Sequence, residues 1–198
     1  NAIGRFDRAI ELNPSRGEFF FYRALAQFQE EDYLSRSDRS WNSAVDFREA
    51  IELGHDTSRA RFMLANSYLN RGIYYRNQDR PADSVDLLKK SIKQYRHVLS
   101  RDWKASNAYH NMGVAYLVIG KLDLARQAVE KAILAEPTTA FFHHTLGEIY
   151  FQQGEFDKAI ESWTLVRELN QDYGSHPFEP LLLEESLENR IEQARLRR

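Results

Sequence analysis

Met112-Gly113-Val114-Ala115-Tyr116 and Leu146-Gly147-Glu148-Ile149-Tyr150 are the same five positions of one unit, written twice at an offset of 34 residues. The offset also carries Gly120 onto Gly154, Leu122 onto Phe156, Ala125 onto Ala159, Val129 onto Trp163 and Ala132 onto Val166. A fixed period of this length, with small residues at recurring places, predicts two helices per unit. Neither helix can bury its apolar face until a neighbouring pair stacks on it.

The unit resembles the tetratricopeptide repeat (TPR) family, whose pattern places an aromatic at position 4, a large apolar residue at 7, Gly or Ala at 8, Tyr at 11, Ala at 20, an aromatic at 24, Ala at 27 and Pro at 32. Tyr109, Met112, Gly113, Tyr116, Ala125, Val129, Ala132 and Pro137 fill those positions in order. The second copy departs at His143 for position 4 and at Gln171 for the terminal proline. The resemblance implies an all-α, right-handed solenoid of helix-turn-helix repeats over 1–172.

Composition fits that expectation and narrows the function. The chain has 198 residues with 9 Gly, 5 Pro and 28% charged residues, as an all-helical repeat protein should. A net charge of -2 carries no footprint of nucleic-acid or anionic-membrane binding. The absence of cysteine excludes disulfides and thiolate metal ligands, and leaves cytoplasm and bacterial periplasm equally open. No apolar run approaches the roughly 20 residues of a membrane span.

Outward from the two regular repeats (106–139 and 140–172), the chain reads as variations on the same unit. Residues 1–16 are half a repeat, with Ala2, Phe6, Ala9 and Pro14 at positions 20, 24, 27 and 32. A second helix without its first predicts a piece of a longer protein, or a surface on which another copy could stack. Residues 17–56 form a repeat with Ala24, Leu25 and Phe28 on its first helix and Ser43, Phe47 and Ala50 on its second. A polar loop insertion over 31–39, with Tyr33 and Leu34 at its middle, separates the two.

In 57–105, positions 7, 8 and 11 fall on Leu64, Ala65 and Tyr68, but positions 20, 24 and 27 fall on Ser91, Tyr95 and Val98, about 14 residues late. Fourteen residues are about four helical turns, so two turns can be added to each helix without rotating the apolar stripe. The spacing predicts a long hairpin over Thr57 to Asn77 and Ala82 to Ser100, with Pro81 at a first helical position where its missing N–H costs nothing. Tyr74, Tyr75 and Leu88 on it either zip the two helices together or present a docking surface. Residues 173–180 read as a Gly- and Pro-containing linker, and 181–198 as a C-terminal capping helix with an apolar stripe of Leu181, Leu183, Leu187, Ile191 and Ala194. Its late arginines complement the helix dipole.

In TPR proteins the first helices line a concave face, and the resemblance places Tyr22, Arg59, Phe62, Asn66, Asn70, Asn107, His110, Asn111, Phe141, His144 and Glu148 on it. Aromatics, amides and a few ionisable groups suit an extended or helical peptide better than a metabolite. Some family members clamp a terminal carboxylate with lysines and arginines; Asn66 and Asn111 match that pattern, but Phe62, Phe141 and Thr145 stand where its cations belong. The asparagines are left as clips for a partner's backbone amides. His110, His144 and Glu148 could approach one another as two nitrogens and a carboxylate, but nothing in the sequence fixes a second shell around a metal, and groove lining is the expected role.

No phosphate loop, nucleophile elbow or HExxH motif is present, so no catalytic residue and no cofactor is expected. The resulting reading is a scaffold that binds a partner protein or peptide in the concave groove. The alternatives are a regulatory or substrate-docking module of a larger enzyme or membrane-anchored assembly, and a self-associating oligomer joined through the half repeat.

Overall fold

A computed structural model describes residues 2–30, 42–101, 103–169 and 184–198, and the described residues form ten α-helices and no strand. Backbone contacts divide them into two compact units, residues 1–111 and 112–198.

The first unit begins with α1 (Ala2–Leu12) and α2 (Gly17–Glu30), followed by α3 (Asn42–Glu52). No residue of α1 is fully buried. Leu12 is 73% exposed, and the half-buried Phe6 stacks on Tyr22 at 5.9 Å. Arg23 ties these helices together. Its Nε and Nη2 donate to the two carboxylate oxygens of Asp46 at 2.6 and 2.7 Å, and its Nη1 donates to Asp7 at 2.8 Å. The buried Asp46 carboxylate thus has a bidentate partner, the geometry that offsets the cost of taking a charge out of water.

The elongated hairpin is present. α4 (Ser58–Asn77) runs 20 residues and α5 (Pro81–Leu99) runs 19. Thr57 caps α4 by accepting from the Ala60 N–H at 3.0 Å, and Pro81 opens α5. The late triad Ser91, Tyr95 and Val98 is completely buried, as an insertion of whole turns requires. Leu88 is also fully buried: a Cβ on Gly72 would lie 2.8 Å from its Cδ2, so the two helices approach as closely as a missing side chain allows. Leu88 therefore zips the hairpin and offers nothing to a docking partner. Tyr75 packs half-buried against the core of Phe21, Phe47, Leu64 and Tyr68, with Arg71 and Arg80 over its ring at 4.6 and 4.2 Å.

α6 (Ala105–Ile119) contains the division between the units. The second unit continues with α7 (Leu122–Ala135), α8 (Ala140–Gln153), α9 (Phe156–Leu169) and α10 (Glu184–Arg197). The period of 34 is visible in its hydrogen bonds. The Gly120 N–H meets the Leu117 carbonyl and the Lys121 N–H the Tyr116 carbonyl, both at 2.9 Å; Gly154 with Phe151 and Glu155 with Tyr150 repeat this at 3.1 and 2.9 Å. Gly120 and Gly154 sit at φ +83° and +80°, the left-handed conformation that ends a helix in a Schellman motif.

Inside the unit, Ala125, Val129 and Ala132 and their copies Ala159, Trp163 and Val166 are at most 1% exposed. His143, where the pattern calls for an aromatic, is buried and donates from Nε2 to the Pro137 carbonyl at 2.7 Å, which holds the preceding turn. Leu187, Ile191 and Ala194 of α10 are buried against Ala159, Trp163 and Val166. The proposed stripe residues Leu181 and Leu183, the 31–39 loop, Gln171 and the 173–180 linker lie outside the described residues.

Candidate functional site

In the first unit the predicted groove residues divide into an outer and an inner set. Tyr22 is 45% exposed, Arg59 and Asn107 are exposed, and Asn70 is half-buried. Phe62 and His110 do not lie on an open face: they are 8% and 1% exposed. Phe62 meets the rings of Tyr95 and Trp103 edge-on at 5.8 and 5.3 Å. Trp103 precedes α6 and belongs to none of the repeat positions, so nothing in the repeat pattern announced that Phe62 would be covered.

His110 closes a polar chain. The Tyr95 hydroxyl donates to Asn66 Oδ1 at 2.5 Å, and Asn111 Nδ2 donates to the same oxygen at 3.1 Å. Asn111 Oδ1 lies 3.1 Å from His110 Nδ1, which this arrangement requires to carry the proton. Asn66 and Asn111 are therefore bound to each other and to buried neighbours. Tyr95 is fully buried and its hydroxyl must find an acceptor; Asn66 supplies it, His110 takes the Asn111 oxygen, and these internal bonds use the oxygens that a partner's amides would have used.

In the second unit, α8 holds Phe141, His144 and Glu148 half-buried. His144 and Glu148 share a face one turn apart. Burial, with a smaller contribution from the Arg190 charge, pushes the His144 imidazole down to about 4, so the ring is neutral at neutral pH. Burial likewise raises the Glu148 carboxyl, opposed by Arg190. Arg190 Nε stands 3.1 Å from Glu148 Oε1, but the contact lacks hydrogen-bond geometry and that buried oxygen has no donor. Behind the face, Trp163 Nε1 donates to the His144 carbonyl at 3.3 Å. Among the described residues no three His, Cys, Asp or Glu side chains are grouped to hold a metal.

Models of the tetratricopeptide repeat match residues 63–133 and 140–173, together more than half of the chain. The chain belongs to the tetratricopeptide repeat family. Stress-induced-phosphoprotein 1 of Caenorhabditis elegans is 23% identical to this TPR chain over 176 residues, 79% of the chain and 52% of the relative, so the chain spans about half of that relative's length. Among solved structures, a MamA double mutant superposes with a TM-score of 0.70 at 17% identity, covering 88% of this chain and 86% of the other. YrrB, described as a TPR protein with an unusual peptide-binding site, reaches 0.61 at 17% identity, covering 87% and 78%. At these identities the structures establish the shared TPR fold alone. TPR chains as a class are protein-interaction modules, and this one carries the fold through which they act.

Arg190 and Arg197 of α10 are the residues near α8 that the repeat pattern does not mark. A signal was present: they flank the apolar stripe of Leu187, Ile191 and Ala194 at helical spacing, so a helix that docks through the stripe must carry them against its neighbour.

Proposed function

We propose that this protein is a scaffold that binds a peptide segment of a partner protein along the concave side of its TPR helices, and that in the second unit the contact is made by Phe141, His144 and Glu148 of α8. One observation supports the reading above the others. Glu148 Oε1 is buried and without a hydrogen-bond donor, beside a half-buried neutral His144. A buried acceptor left unmade costs about 1–3 kcal/mol, which an incoming N–H or hydroxyl would recover. In the first unit the exposed Tyr22, Arg59 and Asn107 are the residues that face a partner, whereas Asn66 accepts from Tyr95 and Asn111 joins Asn66 to His110.

A random peptide library displayed on phage and panned against the chain supplies test ligands. Replacing His144 and Glu148 together by alanine should weaken the selected peptides at least tenfold, about 1.4 kcal/mol, with helicity and melting retained. Unchanged affinity would transfer the binding surface to the hairpin or to 31–39. A second reading, self-association, is favoured by α1, which has no fully buried residue and leaves Leu12 largely exposed. A molar mass that stays monomeric in light scattering across a hundredfold concentration range would remove it.

A further inference from the structure

The polar contacts that α10 and the residue after it make with α8 and α9 are made mostly by arginines, with one of opposite sign, in which Arg167 of α9 donates to Glu188 at 2.8 Å. Arg190 Nε stands 3.1 Å from Glu148 Oε1, the Arg197 guanidinium carbon is 5.1 Å from the centroid of Phe151, and Arg198 Nε is 2.9 Å from Asp157 Oδ1. Two arginines of α10 and the arginine that follows it thus meet two carboxylates and a ring face, all contributed by α8 and α9. Between them, the stripe of Leu187, Ile191 and Ala194 fills the apolar surface of Ala159, Trp163 and Val166. The surface that receives α10 therefore combines an apolar strip with acceptors and a π-face, a combination complementary to arginine.

The polar half of this fit is incomplete. Arg198 and Asp157 are 66% and 62% exposed, so their ion pair is solvated and weak, and Arg190 is 42% exposed although the Glu148 oxygen it faces is buried. Arg190 touches Glu148 without donating a hydrogen bond to it, and the oxygen it faces stays unsatisfied. A guanidinium presented from a different backbone could make the bond that Arg190 misses.

We propose that the surface of α8 and α9 is a receptor for a basic amphipathic helix of a partner protein, and that α10 occupies it as an internal stand-in which the partner displaces. The partner helix carries apolar residues at i, i+4 and i+7, as Leu187, Ile191 and Ala194 do, with arginines at i+3 and i+10, as at Arg190 and Arg197. A peptide of net acidic charge does not fit, because Glu148 and Asp157 would repel it; Arg167 pairs with a single carboxylate at i+1, as it does with Glu188. The proposal rests on the reading of α8 as a binding face and adds the partner's chemistry and the competition with α10.

The test uses a fluorescein-labelled synthetic peptide of residues 184–198 titrated into the full chain and followed by anisotropy. Leu187→Asp with Ile191→Asp in the chain weakens the internal helix; circular dichroism confirms that the remaining helices persist. The peptide should bind this variant at least about tenfold more tightly than the wild-type chain, because the competitor is removed. Glu148→Gln in the same background, or Arg190→Glu in the peptide, should each reduce affinity at least about threefold. No binding to the loosened chain overturns the proposal, as does binding indifferent to both charge changes, which would mark a nonspecific apolar contact.

Should the double variant fail to fold, a chain carrying Glu148→Arg replaces it. That chain should prefer the Arg190→Glu peptide to the unchanged one, and the absence of this reversal counts against the proposal equally. If phage-selected peptides still require His144 while the 184–198 peptide never binds, the binding face stands and only its assignment to a basic helix falls.

Discussion

Gly147→Ala is the substitution whose outcome the geometry fixes most narrowly. Two effects oppose each other. In a helix interior, alanine is favoured over glycine by about 1 kcal/mol. Against that, a Cβ at 147 would stand 2.3 Å from Trp163 Nε1, 2.6 Å from Cδ1 and 2.8 Å from Cε2, whereas ordinary contact begins at 3.4 Å. The indole is fully buried, so it has to move by about an ångström within a filled core. Overpacking of that kind costs about 1–3 kcal/mol. The same movement pulls Nε1 from the His144 carbonyl, already 3.3 Å away, and an orphaned buried donor adds about 1–3 kcal/mol. The net expectation is a loss of about 2–3 kcal/mol, a fall in melting temperature of about 5–10 °C for a chain of this size.

Urea unfolding followed by circular dichroism at 222 nm measures it without relying on Trp163 as its own reporter. Trp163→Phe removes the five-membered ring that supplies the three close atoms. The double variant should therefore be more stable than the sum of the single losses by about 1 kcal/mol or more. A Gly147→Ala chain as stable as wild type, or strictly additive losses, would refute the view that the small residue at this position is demanded by the buried ring facing it.

Further outcomes follow from the same structure. Asn66→Ala should cost about 2 kcal/mol in urea unfolding, since it strands the buried Tyr95 hydroxyl, whereas Tyr95→Phe removes donor and demand together and should cost about 1 kcal/mol or less. Equal losses would argue against the polar chain. Asp56 is held at about 2, chiefly by Arg61, which donates to it at 2.5 and 2.8 Å, and to a lesser degree by Arg101. Its depressed value contributes stability that is present above about 4 and lost as pH falls towards 2. With the carboxylate a third exposed, Asp56→Asn should cost about 1 kcal/mol at pH 7 and little at pH 2, as chemical denaturation at the two pH values would show. His144, lowered from 6.5 to about 4, favours the fold fully above pH 6.5 and loses that contribution as pH falls to 4. Glu148, raised by burial, acts in the opposite sense, its cost growing as pH rises through its titration. His144→Gln should flatten the acid limb of stability by about 2–3 kcal/mol between pH 6.5 and 4, and an unchanged limb would place the titration elsewhere.

Much of the fold was legible because the repeat pattern concerns residues whose burial is set by local periodicity. The 34-residue offset, and a displacement close to four helical turns, were enough to place Ser43, Phe47, Ala50, Ser91, Tyr95, Val98, Trp163 and their equivalents in the interior and to find both long helices. The candidate site was less legible. A helical position says which way a side chain leaves the backbone, but not what waits there.

The sequence by itself therefore determined the helix pairs, the added turns of the long hairpin and the Leu187, Ile191 and Ala194 part of the last helix's apolar stripe, since each depends on neighbours within a few turns of chain. Only the tertiary structure decided that Asn66 accepts from both Tyr95 and Asn111, that Trp103 covers Phe62, and that Arg190 leaves a buried carboxylate oxygen of Glu148 unmet. Those partners lie 29 to 45 residues apart in the chain. Their meeting is decided by how packed helices bring distant side chains within hydrogen-bonding reach, and the need of buried polar groups for a partner decides which of them remain available to another protein.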